Sequence, residues 1–343
     1  MEKTMKAAVV TGFKKPLEVK EIDIPKPGPN DVLVKLHVTG VCHTDLHAAH
    51  GDWPVQPELP RVPGHEGIGE VIEVGDEIHH IEKGDMVGIP WLHTTCGYCE
   101  YCLTGRETLC ESQKNSGYAV DGSFGEYAIM DGRYTVKCPE GIDLVKAAPL
   151  YCAGVTTYKA LKVSNVKPGQ WVSIVGVGGL GHIAIQYAKA MGMKVVAVER
   201  ENSGLEKLAK KCGADLFYDG PAEKTGEWIK EHTDGGVHGA VVTAVAKAPF
   251  SEALNSIRRG GRVVPVGLPP AMMEVSIFNL VLGGLELVGS IVGTREDLIE
   301  CLQIAEDFNI EPVTTTAKLD DINDIFEKME KGELNGRMVI DYR

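Results

Sequence analysis

Gly176-Val177-Gly178-Gly179-Leu180-Gly181 follows directly on Trp171-Val172-Ser173-Ile174-Val175, and this junction decides the fold. The run Trp171 to Val175 is apolar throughout, as in a strand covered on both faces. The glycines fit G-x-G-x-x-G, a weak signal alone and a strong one between a strand and a helix. Gly176 permits the tight turn, Gly178 lets the backbone approach a pyrophosphate, and Gly181 lets the helix pack close to the strand. The helix predicted from about Leu180 to Met191, stopped by Gly192, offers its N-terminal N–H groups to the phosphates.

Working outward, Lys194 to Val198, Val237 to Val242 and Arg262 to Val266 read as further strands. Each stands beside a helical pattern or a glycine-rich turn, the signature of βαβ units and a doubly wound parallel sheet. Ser203 with Glu206 three residues later predicts a capping box for a helix through Lys211, ended by Gly213. Glu199 ends the strand after the glycine turn. Its carboxylate suits the adenosine ribose hydroxyls and repels a 2′-phosphate, which favours NAD over NADP. Arg200 beside it is the residue type that would pair with that phosphate. A glycine-rich turn without a ligand is the alternative reading.

The first 150 residues have another texture, rich in Gly, Pro, Cys and His, with no long amphipathic helix before residue 143. Val32-Leu33-Val34-Lys35-Leu36-His37-Val38 alternates like an antiparallel strand, introduced by a Pro-Gly-Pro-Asn turn at 27–30. The closing segment Gly336-Arg337-Met338-Val339-Ile340 predicts a strand returning to this first domain. At 343 residues the chain exceeds one ordinary core of about 100–200, so two domains are expected. A net charge of −13 repels phosphate backbones and excludes nucleic acid as a natural partner. The N-terminal MEKTMKAAVV shows no signal-peptide pattern, and Leu280 to Gly293, broken by Glu286, is too short to span a bilayer. These features predict a soluble, cytoplasmic protein.

Nine cysteines, an odd number, argue against a disulfide framework. Cys96-x-x-Cys99-x-x-Cys102-x7-Cys110 places four thiols close enough to complete a tetrahedron, which predicts a structural zinc site with no open position. Cys138, Cys212 and Cys301 read as buried or inert thiols. Cys42, His65 and Cys152 are scattered, and spacing alone does not join them. Each by itself reads as a packed cysteine or a hydrogen-bonded histidine. Together, two thiolates and one imidazole would leave a fourth position open, as a catalytic zinc requires.

Gly64-His65-Glu66, the four-cysteine lobe and the glycine turn stand in the order and spacing of the zinc-containing medium-chain alcohol dehydrogenases, which this chain resembles over essentially its whole length. Cys42-His43-Thr44-Asp45, Gly51-Asp52-Trp53-Pro54 and Pro90-Trp91 are most similar to the microbial ethanol-type branch. The resemblance implies a GroES-like β-rich catalytic domain from 1–153 and 294–343, carrying the structural zinc lobe, and a Rossmann domain from 154–293, with the active site in the cleft between them. It implies that Cys42, His65 and Cys152 hold a catalytic zinc, making two zinc ions per chain, and that small alcohols exchange hydride with NAD to give aldehydes or ketones.

By the same resemblance Thr44 accepts the alcohol's proton, His47 is the solvent end of the relay, Asp45 fixes the His65 tautomer and Glu66 tunes the metal or exchanges as a ligand. His43 and Arg337 match pyrophosphate contacts. Thr156, Gly179, Leu180 and Val266 match cofactor positions along with Gly176, Gly178, Gly181, Glu199 and Arg200. The family usually carries aspartate where Glu199 stands, and glutamate reaches about one carbon further. On residue type alone His47 also reads as a surface histidine and Asp45 as a helix cap. His79, His80 and His93 read as structural or exposed.

Trp53 and Trp91 match pocket positions. Two indoles remove volume and favour short primary alcohols, with ordinary core packing as the alternative. The branch implies a homotetramer with dimers formed at Rossmann sheet edges, for which Leu285 to Val292 is the expected edge. The rival readings are a zinc polyol or sugar dehydrogenase, which often has a glutamate among its zinc ligands, and a non-catalytic zinc- and dinucleotide-binding relative.

Overall fold

A computed structural model describes residues 3–334 and 336–343 of the protein. The chain divides into two compact units, one of Met1–Cys152, Thr294–Glu306 and Glu311–Arg343, the other of Ala153–Gly293 with Asp307–Ile310.

The second unit is built on a six-stranded sheet in the order Leu216–Tyr218, Lys194–Val198, Trp171–Val175, Val237–Val242, Ile257–Pro265, Glu286–Leu287. Every pairing in it is parallel. The strands are β-branched and apolar because helices cover both faces. Val172, Ile174, Val195, Val196, Val241 and Val263 are fully buried. In chain order the sheet reads 3-2-1-4-5-6, reversing beside Trp171–Val175, so the glycine turn leaves the sheet at the switch point where such folds bind ligands. This is the Rossmann architecture expected from the glycine junction.

Two local expectations are corrected here. Ser203 does not cap the helix Glu206–Lys211; its Oγ accepts from Leu205 N at 3.2 Å instead. The chain turns through left-handed backbone at Asn202 and Gly204, so Ser203 lies too far ahead of the first turn. At the sheet edge only Glu286–Leu287 of the stretch 285–292 is strand.

The first unit is organised around one 11-residue strand, Asp31–Val41. It pairs antiparallel with Gly67–Val74, Tyr127–Asp131 and Arg337–Asp341. Met86–Ile89 and Thr314–Ala317 extend the sheet outward. The alternation of DVLVKLHVTGV serves two cores. Leu33 and Val41 join the cluster around Val9, Phe124, Ile322 and Phe326, while Val32, Val34 and Leu36 join that of Val71, Ile89 and Met130.

The register positions the site. Met338 faces Val41, which brings the following pair, Arg337 and Cys42, alongside each other. Gly40 N donates to Glu66 O at 3.1 Å, so the segment entering Gly67–Val74 lies against the end of Asp31–Val41. Directly after Cys42 the chain coils into the helix His43–His50. No described helix is long and apolar enough to cross a membrane.

Candidate active site

Cys42, His65, Glu66 and Cys152 are all buried, and one ligand atom from each lies within 4.8 Å of the others. Cys42 is placed by the strand end, His65 and Glu66 by the segment entering the neighbouring strand, and Cys152 by the turn that follows Ala148–Tyr151. Asp45 ties these segments together. Its Oδ2 accepts from Cys42 N at 2.9 Å, and its Oδ1 accepts from Gly64 N at 3.1 Å. The same Oδ1 stands 2.8 Å from His65 Nδ1. A carboxylate there accepts a hydrogen bond from Nδ1–H, which leaves Nε2 as the ring atom that faces the two thiols. That Nε2 is buried without a hydrogen-bond partner. Two thiols, a carboxylate and an imidazole lone pair without a partner fit zinc and no ordinary packing role.

The electrostatics agree. A hydrogen bond from Cys152 outweighs burial and, with His65, holds the Cys42 thiol well below its ordinary pKa; the same bond and burial push Cys152 well above its own. Burial disfavours a charged His65 ring, yet Asp45 and Cys42 raise its pKa well above the usual value. The pull that retains a proton at this spot is the pull that a divalent cation answers. Glu66 is pushed up to about 7 by burial, against the neighbouring Arg337. Arg337 is 4% exposed, and its Nη2 donates to Glu66 Oε1. Glu66 Oε2 and Arg337 Nε have no hydrogen-bond partner.

Thr44 and His47, expected from the sequence to form a relay, stand three apart on the helix His43–His50 and therefore share a face. Thr44 is half-buried and His43 exposed. His47 is half-exposed, with Nδ1 3.0 Å from Asp52 Oδ2, so the sequence overlooked an acidic companion five residues on. Trp53 and Trp91 meet edge to face at 6.2 Å, and Trp91 meets the His65 ring at 5.2 Å. Trp91 therefore packs directly against His65, and Trp53 stands behind it, 5.8 Å from the His47 ring. Tyr118, at 5.3 Å from Trp53 and 5.8 Å from Trp91, belongs to the same aromatic group and carried no signal in the sequence.

The four-cysteine lobe is a second centre. Its sulfurs approach at 3.5 Å (Cys99–Cys102), 3.7 Å (Cys110–Cys96) and 3.9 Å (Cys96–Cys102). A tetrahedral zinc with Zn–S of about 2.3 Å sets its sulfurs about 3.8 Å apart, whereas a disulfide needs about 2 Å. The amide of Tyr98, with that of Cys99, brings Cys96 down to about 7. Arg295 clamps the lobe through Glu107, Nη2 to Oε2 at 2.7 Å. Of the leftover histidines, His79 and His80 are exposed and His93 is buried.

In the second unit Gly176 adopts φ +95°, and a Cβ on Gly181 would lie 1.7 Å from Gly176 O, so both must be glycine. A Cβ on Gly178 would meet open space. No packing contact within the chain therefore requires glycine there. Glu199 Oε2 accepts from Val177 N at 2.7 Å and Oε1 from Arg200 N at 2.9 Å, so the carboxylate lies against the turn. Thr243 Oγ1 donates to Gly176 O at 3.0 Å and bolts the turn from the next strand, a role that the sequence did not reveal. Gly179 and Leu180 are half-buried, Thr156 is buried on the helix Ala153–Ser164, and Val266 N donates to Val242 O at 2.9 Å.

Comparison with known proteins agrees with this geometry. A family profile described as alcohol dehydrogenase GroES-like domain matches residues 28–140, and one described as zinc-binding dehydrogenase matches residues 179–307. An alcohol dehydrogenase of Geobacillus stearothermophilus is 56% identical over 98% of this chain and 99% of its own. Among solved structures, acetophenone reductase from Geotrichum candidum in complex with NAD superposes with a TM-score of 0.88 at 29% identity, covering 99% of this chain and 98% of that one. The CAD of Helicobacter pylori complexed with NADP(H) does so at 0.88 and 27%, covering 99% of each. With two clusters of side chains that could hold a metal, a GroES-like unit and a Rossmann unit in one chain, this protein belongs to the zinc-binding, medium-chain alcohol dehydrogenase family.

Proposed function

We propose that the protein interconverts small primary or secondary alcohols and their aldehydes or ketones by hydride exchange with NAD, at a zinc held by Cys42, His65 and Cys152. The observation that carries this is the buried Nε2 of His65, without a hydrogen-bond partner beside two thiols of opposite pKa displacement. Zinc bound there supplies Lewis acidity that lowers the pKa of a bound alcohol, and the nicotinamide supplies the hydride acceptor.

The chain's own residues do the rest. Thr44 Oγ1 accepts the substrate's proton. As it does so it gives up its own proton, which would pass through the cofactor ribose to His47, one turn further along the helix and backed by Asp52, and so to solvent. Asp45 holds the His65 tautomer, and Glu66, paired with Arg337, balances charge beside the metal or exchanges as a ligand. Trp53 and Trp91 limit the size of the alcohol. The four cysteines of the lobe hold a second, structural zinc.

NAD is preferred because the Glu199 carboxylate, lying against the glycine turn, faces any 2′-phosphate with like charge. The fold does not choose, since one solved relative carries NAD and another NADP(H). Gly176, Gly178, Gly179, Leu180 and Gly181 receive the pyrophosphate at the start of the helix Gly181–Ala190. Thr156, Val266 and Arg200 complete the cofactor contacts.

We also assign a homotetramer, associating through the sheet edge at Glu286–Leu287. The neighbouring helix Ile277–Gly283 leaves Ile277, Phe278, Val281 and Leu282 between 61% and 78% exposed, apolar surface of the kind that a second copy covers. Sedimentation as a monomer at working concentration removes this assignment. The dense free thiols fit the reducing cytoplasm.

The deciding experiment measures initial rates of NAD and NADP reduction by ethanol on protein with counted zinc. Turnover with NAD and about two zincs per chain is expected. Glu66 within reach of the metal cluster gives the polyol or sugar dehydrogenase reading its one foothold. A substrate panel favouring polyols over ethanol selects it, and no turnover on fully metallated protein selects a non-catalytic relative.

A further inference from the structure

We propose that Tyr118 is a positioning residue that sets the size limit of the substrate pocket, clasping the loop that carries Trp53 to the segment that carries Trp91. The proposal rests on the assignment of Trp53 and Trp91 to the pocket wall.

Trp53 rides on the segment 51–58, which follows the helix His43–His50. Val55, two residues beyond it, is 78% exposed. The bonds that this segment makes with its own neighbourhood are local: Gly51 N to Ala48 O, Asp52 N to His47 O and Gln56 Nε2 to Gly51 O. They fix where the segment starts and not where its tip lies. The Tyr118 hydroxyl adds a different kind of restraint, donating to Val55 O at 2.5 Å from 63 residues away.

The other end of the clasp is fastened to the opposite wall. Ser116 N donates to Trp91 O at 3.0 Å, and Asn115 pairs with Leu92 across a two-stranded ladder. Tyr118 N then donates to Asn115 O at 3.2 Å. Its ring lies against both indoles, at 5.3 Å from Trp53 and 5.8 Å from Trp91. Burial and the nearby Asp52 raise the phenol's pKa, so the hydroxyl remains a donor at working pH. A ring that merely packed would not need its oxygen aimed at a carbonyl of an otherwise exposed tip.

Without the hydroxyl, the ring stays and the tip is released, so Trp53 can swing outward to admit a longer alcohol. The test compares kcat/KM for ethanol, 1-butanol and benzyl alcohol in Tyr118→Phe, Trp53→Ala and the parent holoenzyme. Tyr118→Phe should raise the butanol-to-ethanol ratio about fivefold, the factor carried by one ordinary hydrogen bond, chiefly through KM. Loss of stability alone lowers every alcohol together and leaves the ratio flat. A ratio within about twofold of the parent in Tyr118→Phe, while Trp53→Ala shifts it, overturns the clasp and spares the pocket. A flat ratio in both overturns both. The rate of limited proteolysis within 53–58 gives a second readout, independent of activity. It should quicken about fivefold in Tyr118→Phe, and an unchanged rate overturns the proposal.

Discussion

Asp45 Oδ1 lies 2.8 Å from His65 Nδ1, and both side chains are about 1% exposed. One carboxylate therefore sets the imidazole's tautomer while its other oxygen holds the Cys42 amide, so that two proposed metal ligands share one anchor. Asp45→Asn keeps the shape but presents an amide that cannot accept from all three donors at once. Affinity at this centre should fall about 10–100-fold, the usual effect of losing such a partner, with the four-cysteine centre untouched. Competition with a graded chelator reads this as one early and one late zinc. Two zincs leaving together at the parent concentration would sink the idea.

Gly40 owes its identity to Glu66. A Cβ there would lie 1.9 Å from Glu66 Oε2 and 2.9 Å from its Cδ. Gly40→Ala should drive the carboxylate from Arg337 and leave a buried guanidinium without its partner, at a cost of about 3–5 kcal/mol in unfolding free energy. In a Glu66→Ala background only the residue-66 Cβ, at 3.0 Å, remains in the way, and the same change should cost far less than in the parent. Equal costs in the two backgrounds, measured in urea, would show that the crowding lies elsewhere.

The two centres differ in how far the sequence reveals them. The lobe cysteines are legible because all four lie in one short loop, where spacing alone brings the thiols together. Cys42, His65 and Cys152 are not, because strand register and not spacing joins them: Met338 must face Val41, and Gly40 must lie against Glu66. The same reason hides the Arg337–Glu66 pair, whose members are 271 residues apart. The Rossmann half was readable at its first strand, turn and helix, since apolar runs and glycines report local backbone needs. Ser203 misled because a capping pattern counts residues and ignores the left-handed bend at Gly204. Thr243 and Tyr118 are ordinary residues whose partners lie more than sixty positions away, and no local pattern marks such contacts.

Cys99→Ser tests the lobe. With one sulfur lost from a set spaced for tetrahedral zinc, metal content should fall from about two to about one per chain. Proteolysis should then begin within residues 96–113, where only short turns support the backbone. Cleavage first at a remote site, with zinc content unchanged, would contradict a structural role for this metal.

Glu199→Gln tests cofactor choice. The amide oxygen can still accept from Val177 N, so the turn keeps that support, while the change removes the charge and the bond from Arg200 N. The NADP-to-NAD ratio of kcat/KM should rise about tenfold, equal to about 1.4 kcal/mol, with Arg200 free to meet the 2′-phosphate. Adding Arg200→Ala should reverse most of the gain. A ratio that does not move with Glu199→Gln would place cofactor selection outside this carboxylate.

Asp131 gives a pH signature independent of catalysis. Its side chain is 5% exposed and accepts from Thr94 Oγ1 at 2.7 Å and Arg133 Nη2 at 2.6 Å. Burial alone would raise its pKa, but the Arg133 and Thr94 hydrogen bonds win and hold it below the ordinary value. A carboxylate with a depressed folded pKa stabilises the protein fully above its unfolded pKa of about 3.9, and that contribution fades as pH falls through the folded value. Asp131→Asn should therefore cost about 1.5–3 kcal/mol at pH 7, the range for hydrogen bonds to a charged group, and progressively less below pH 4. Acid strips metal from parent and variant alike, so chelated samples of both, unfolded in urea at pH 7, 5 and 3, isolate the difference. A gap between the two curves that stays constant down to pH 3 would mean that the charge on Asp131 contributes nothing, and that the loss is one of shape.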